Sequence, residues 1–290
     1  MRKKEALIDR NLKDWLEPTI NGQLQAELKL LLDPLVDYFQ QPAFIKPDPI
    51  SVPWGFHRKQ DKEIMGLFAA LFAWGRRDIT LGKCAELTAL LDNQPFDFVM
   101  SHQPKELERM SQFKHRTFMS EDVIYFLTWF RWFYERHESL EQAFLVDGIA
   151  NYNHVGLGIS TFHELFFILP SAPKRTRKHI STPVSHSACK RICMFLRWMV
   201  RSDRSMSGEK TAGNCVDFGI WTQIRPNQLI CPLDVHVMRN AQSLGLLDTD
   251  KSTWQAAVQL TSNLRLLDPT DPVRYDFALF GLGVNGGVLG

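Results

Sequence analysis

Asp234 stands at the junction of two unlike segments. Ile230-Cys231-Pro232-Leu233 cannot be helical at its proline, whereas Val235, Val237, Met238, Ala241 and Leu244 recur at helical spacing until Gly245. The aspartate is therefore an N-cap, and it is the best candidate for an active-site carboxylate. Its alternative duty is to accept the first-turn N–H groups, typically worth about 1 kcal/mol. Lys190 opens a second amphipathic helix, Lys190 to Met199. An amine above an apolar face loses hydration, and with Arg191 beside it the neutral form is favoured. A surface lysine snorkelling at a helix start would look the same. Lys210, in Gly208-Glu209-Lys210-Thr211-Ala212, lies closer to Asp234 in sequence, but the polar stretch from Arg204 to Asn214 reads as an exposed loop.

The elements that must position these groups are helical throughout. Asn11 to about Gln40 reads as amphipathic helix broken at Pro18 and Pro34, and Pro42 to Pro53 as a connector. Ile64, Leu67, Phe68, Leu71 and Phe72 predict a helix that runs to Trp74 and stops at Gly75. Helices follow over Ile79–Leu91, Pro95–Met100, Pro104–Met110 and Ser120–His137. The last is crowded with Tyr125, Phe126, Trp129, Phe130, Trp132, Phe133 and Tyr134, which at this spacing is core packing. Ser139–Phe144, Ile159–Leu169 and Ser187–Arg201 complete the set before the Asp234 helix. Neither alternating strands nor a repeat is legible, so the fold class is all-α.

A chain of 290 residues with 44% hydrophobic and 23% charged residues has the balance of a globular protein of one or two domains. The longest apolar runs fall short of the roughly 20 residues that cross a bilayer. Met1-Arg2-Lys3-Lys4-Glu5 lacks the apolar centre of a signal peptide, so a cytoplasmic location is expected and no membrane partner. The five cysteines, Cys84, Cys189, Cys193, Cys215 and Cys231, are odd in number and scattered, and read as reduced thiols rather than a disulfide framework or a metal site. The net charge of +2 announces no polyanion by itself. Lys174, Arg175, Arg177, Lys178 and His179, followed by Lys190 and Arg191, form a basic run suited either to phosphates or to a solvated loop.

Pro232, Asp234, His236, Val237 and Arg239 resemble the Pro-Val-Asp-Thr-His-Val-x-Arg signature of the helix-hairpin-helix DNA glycosylase superfamily, with Leu233 and Val235 in place of the usual Val and Thr. Ile50-Ser51-Val52-Pro53, Ala73-Trp74-Gly75-Arg76-Arg77, Phe195 to Arg201, Val216 to Trp221 and Tyr275 to Gly281 resemble an uncharacterised bacterial family near the archaeal 8-oxoguanine glycosylase branch. The resemblance implies a two-lobed helical bundle: an N-terminal extension over 1–50, then a glycosylase core over 51–290 with lobes at 51–170 and 171–290. It also implies base-excision repair of duplex DNA, by removal of an oxidised purine such as 8-oxoguanine, from a monomer without a cofactor. The closely spaced cysteines that hold an iron–sulfur cluster in some members are missing after Cys231.

In members that also cleave at the abasic site, a lysine attacks the sugar carbon and forms a Schiff base while the aspartate stabilises the cationic sugar. That lysine usually follows a glycine-rich hairpin a little under twenty residues before the aspartate, and no such hairpin occurs at that distance here. Lys190 is the expected nucleophile and Lys210 its competitor. A flipped base needs flat or apolar neighbours, for which Trp74, Trp198, Trp221 and Phe280 are candidates, with Asp276 to accept from a purine edge. Arg76, Arg77, Arg191, His236 and Arg239 are the candidate phosphate contacts. The rival expectation is a catalytically silent nucleic-acid-binding protein on the same scaffold.

Overall fold

The computed structural model describes residues 12, 14–146, 152–202 and 216–284. It is predominantly helical, as the periodicity predicts. Ten α-helices of seven residues or more occur among the described residues. They are α1 (Gly22–Phe39), α2 (Lys59–Phe72), α3 (Arg77–Leu90), α4 (Pro95–Ser101), α5 (Ser120–Tyr134), α6 (Gly156–Phe166), α7 (Lys190–Val200), α8 (Val235–Ser243), α9 (Trp254–Leu267) and α10 (Tyr275–Val284). Among the described residues a single pair of strands forms a small antiparallel hairpin, Lys114–His115 against Phe118–Met119, with Lys114 opposite Met119 and His115 opposite Phe118.

Pro34 does not break α1 as expected, because a proline costs the helix mainly the bond to the carbonyl four residues earlier. That carbonyl belongs to Leu30, which is 80% exposed, so water can take the place of the lost donor. Helix α1 is instead delayed to Gly22, where Asn21 caps it by accepting from the Leu24 N–H at 2.9 Å. Pro104–Gln112 forms a 3-10 helix rather than an α-helix.

The chain divides into two compact units that differ from the expected split at residues 50 and 170. A central unit comprises 45–145 and 161–181, and a terminal unit comprises the described parts of 1–44, 146–160 and 182–290. The central unit is built on α5. Phe126, Trp129, Phe130 and Phe133 are fully buried, and rings of this face meet Phe68 of α2 and Phe162 and Phe166, with centroids such as Phe126–Phe166 at 4.6 Å. Glu63, also fully buried, accepts from Tyr134 Oη at 2.9 Å, Ser139 Oγ at 2.6 Å and the Leu140 N–H at 3.0 Å, so its charge is met by three donors.

In the terminal unit α10 packs between α1 and α8. A Cβ on Gly281 would lie 2.4 Å from the Phe39 ring of α1, and one on Gly283 2.6 Å from the His236 Cβ of α8. Glycine therefore lets both neighbours approach the α10 backbone. Polar contacts fasten α1 and its lead-in to the last two helices: Thr19 N–H to Asn263 at 2.8 Å, Gln25 to the Leu266 carbonyl at 2.7 Å and Tyr275 Oη to Asp33 at 2.7 Å.

Candidate active site

Asp234 is the N-cap of α8, as its position after Pro232 predicts. Its backbone is extended, and Oδ1 accepts from the His236 and Val237 N–H groups at 2.9 and 3.0 Å. Upstream, the Cys231 N–H donates to Thr261 Oγ1 at 3.0 Å, which pins the extended segment to α9. The other half of the site hangs on the same helix. The Trp254 N–H at the start of α9 donates to the His186 carbonyl at 3.1 Å, and Ser187 bridges Thr253. Three residues after Ser187, Lys190 begins α7 behind Cys189, a cap residue held left-handed at φ 51° while its N–H donates to Ser187 Oγ at 3.1 Å. Left-handed His186 and Cys189, rather than glycines, thus shape the turn before α7.

This scaffold closes the gap between Lys190 and Asp234. Lys190 Nζ lies 3.9 Å from Asp234 Oδ2, and both side chains keep partial exposure, 26% and 19%. The oxygen that faces the amine is the one not engaged in capping. Met194, one turn along α7, offers its sulfur to Lys190 Nζ at 3.5 Å. A cation and an anion are therefore held together at the edge of an apolar interior, with access to solvent. Lys210 lies outside the described residues.

Behind the pair runs a buried charge network. Arg197 bonds Asp276 through Nη1 and reaches Asp217 at 3.3 Å. Arg201 bonds Asp217 at 2.6 Å and Asp271 at 2.9 Å. Both guanidinium groups lie over Phe277, at 4.4 and 5.4 Å from the ring centroid. The sequence signal was available: Arg197 and Arg201, four apart, share one face of a helix whose residues from Ile192 to Val200 are otherwise apolar. Burial raises the pKa of Asp276 to about 6. Arg197, its nearest counter-charge, pulls the other way, Asp234 adds to the rise and Lys190 opposes it. The buried Cys231 thiol, 4.0 Å from Asp276, is pushed well up by desolvation, so it is a thiol and not a thiolate.

These positions correct three expectations. Asp276 is 4% exposed and its carboxylate is taken up by Arg197, which leaves it turned inward and not toward a purine edge. Trp198 is fully buried in the core, its Nε1 without a hydrogen-bond partner among the described residues. Trp221 is 2% exposed and stands edge-on to Phe195 at 5.4 Å. Residue type suggested a base contact, whereas α7 turns Trp198 into the core, the non-helical segment after residue 216 buries Trp221, and Arg197 holds Asp276 inside. Phe280 is half-buried near the start of α8, 6.3 Å from the His236 ring, and remains placed to line a site. His236 thus faces Phe280 and Gly283, whereas Arg239 is exposed. Arg191 is half-buried, and desolvation lowers its pKa.

Arg76 and Arg77 belong to the central unit. Arg76 is exposed and pairs with Asp78. Much of the basic run is engaged by protein. Arg175 and His179 turn to the buried Asp122, which Thr176 also bonds at 2.7 Å, and Arg177 lies over Phe167 at 4.7 Å. Burial alone would raise the Asp122 carboxyl, but hydrogen bonds from Thr176 and the Met119 N–H, with His179 3.3 Å away, hold it below its usual range. Among the described residues no group of three or more His, Cys, Asp or Glu could hold a metal ion, and no helix is long and apolar enough to cross a membrane. A family model described as protein of unknown function (DUF2400) matches residues 48–285. No curated protein and no solved structure matches the chain.

Proposed function

Because the chain belongs to the DUF2400 family of proteins of unknown function, we propose its activity from the site itself: a DNA base-excision glycosylase in which Lys190 is the nucleophile and Asp234 the electrostatic catalyst. The observation that carries this reading is the 3.9 Å approach of Lys190 Nζ to the uncapped oxygen of Asp234, across 44 positions of sequence. The resemblance of Pro232 to Arg239 to the helix-hairpin-helix glycosylases supplies the substrate class, an oxidised purine such as 8-oxoguanine in duplex DNA.

The chemistry suits these two groups. The lysine ammonium gives a proton to the departing base as the glycosidic bond breaks and its electron pair leaves with the base. The amine lone pair then bonds to the sugar C1′. Ring opening moves a proton from nitrogen to the ring oxygen and leaves an iminium, the species from which strand cleavage by elimination proceeds. Throughout, positive charge builds at the sugar, and the fixed Asp234 carboxylate is the counter-charge.

Borohydride reduction of the iminium tests the assignment. Wild type should be trapped covalently on an 8-oxoguanine duplex. Lys190→Gln should lose the trap while binding within a few-fold of wild type. Asp234→Asn, which preserves an N-cap acceptor, should fold normally and release base at least about 100-fold more slowly, in line with the loss of a preorganised electrostatic partner. Loss of the trap in Lys210→Gln but not in Lys190→Gln would transfer the nucleophile to Lys210. Equal DNA binding by all variants with no base release would favour the silent binding protein.

A further inference from the structure

The central unit carries an exposed aromatic held in a basic setting. Trp74 is 53% exposed and follows the C-terminus of α2. Its position is built, not frayed. The Phe72 carbonyl at the helix end accepts from Thr80 Oγ1 at 3.1 Å and from His115 Nε2 at 3.0 Å, which ties the Trp74 turn to α3 and to the hairpin. From that hairpin Arg116, itself left-handed at φ 54°, lays its guanidinium over the Trp74 ring at 5.1 Å. The guanidinium also crosses Gly75, whose φ of +101° a residue with a side chain adopts only under strain.

Charge around the ring is one-sided. Residues 73–80 and 114–119 contribute Arg76, Arg77, Lys114 and Arg116 against one carboxylate, Asp78, which Arg76 holds at 2.5 Å. Lys114 and Arg116 are exposed and have no carboxylate partner among the described residues. Burial lowers the pKa of His115, a direction that Arg116 and Lys83 reinforce. Ile79, 46% exposed, extends the apolar surface on α3.

We infer that Trp74 and Arg116 form a stacking platform for an unpaired base of a nucleic acid, with Lys114 and the free edge of the Arg116 guanidinium meeting the flanking phosphates. A half-exposed flat ring, stacked with a guanidinium and beside a lysine, matches what single-stranded nucleic acid offers: π-faces joined by phosphates. The platform is independent of the Lys190–Asp234 chemistry, since it lies in the other unit and requires no reaction.

The full chain should quench in tryptophan emission when a short oligodeoxythymidylate is added. Trp74→Ala should weaken binding about tenfold or more, within what stacking of one base contributes, and abolish most of the quench, while Trp74→Phe retains most of the affinity. Arg116→Ala should weaken binding and flatten its salt dependence. Because Trp74 is exposed, circular dichroism should show these variants folded. Equal oligonucleotide affinity in wild type and Trp74→Ala overturns the platform, and so does capture by anionic phospholipid vesicles with no oligonucleotide binding. Loss of binding in Trp74→Ala alongside absent base release would leave the platform standing and remove the glycosylase activity.

Discussion

At the scale of single residues, the terminal unit depends on groups whose ionisation is fixed by what surrounds them. His154 is the clearest. Its Nε2–H donates to the Asp14 carbonyl at 2.9 Å, and its Nδ1 accepts from the Gly156 N–H at 3.1 Å, so both nitrogens are committed to one neutral tautomer. Rings of Trp15 and Trp254 flank it, Asp14 and Arg265 are its charged neighbours, and burial lowers its pKa to about 4. Between pH 6.5 and about 4 the unfolded chain binds a proton that the folded chain refuses, so stability falls as pH is lowered through that window. The effect is on the order of 3 kcal/mol at full extent. Urea unfolding followed against pH should show this loss, and His154→Gln, which can imitate the donor and acceptor but cannot titrate, should flatten it. An unchanged acid limb in that variant would rule out His154 as its source.

At the scale of elements, close approach of backbones rather than side-chain size sets the packing of α10. Gly281→Ala places a methyl against the Phe39 ring, at 2.4 Å before any relaxation, and should cost about 1–3 kcal/mol as overpacking. A double change with Phe39→Leu should recover part of that loss, as thermal unfolding of the two variants would show. Elements were the level at which the sequence was most legible. Ile64, Leu67, Phe68, Leu71 and Phe72 are all buried on α2, and Asp234 caps α8 where Pro232 and the following periodicity put it. What periodicity cannot give is the partner of a face. Residue type, read under the resemblance, assigned Trp198, Trp221 and Asp276 to a pocket, whereas α7 and α10 turn Trp198 and Asp276 into the interior and a non-helical segment buries Trp221. The meeting of Lys190 with Asp234 was likewise invisible locally, since it is made by α9, which contributes neither residue and holds both approach segments.

At the scale of the whole molecule, the unit that holds the site is discontinuous. Leu28, Leu32, Leu35 and Val36 of α1 are almost wholly buried there. At about 2 kcal/mol for each such side chain, their removal rivals the 5–15 kcal/mol that holds a typical domain folded. Deleting residues 1–44 should therefore abolish cooperative unfolding of this unit, measured by amide hydrogen exchange of α7 to α10, and a protected α10 in the truncated chain would contradict it. The same discontinuity orders events during synthesis. All residues of the central unit have been made by residue 181, but α1 must wait for α10, and Thr19 for Asn263, a span of 244 residues. On a ribosome that emits the chain from its N-terminus, the leucine face of α1 is thus an unmet surface for most of translation, which makes this helix the segment where chaperone holding and early aggregation would first be seen.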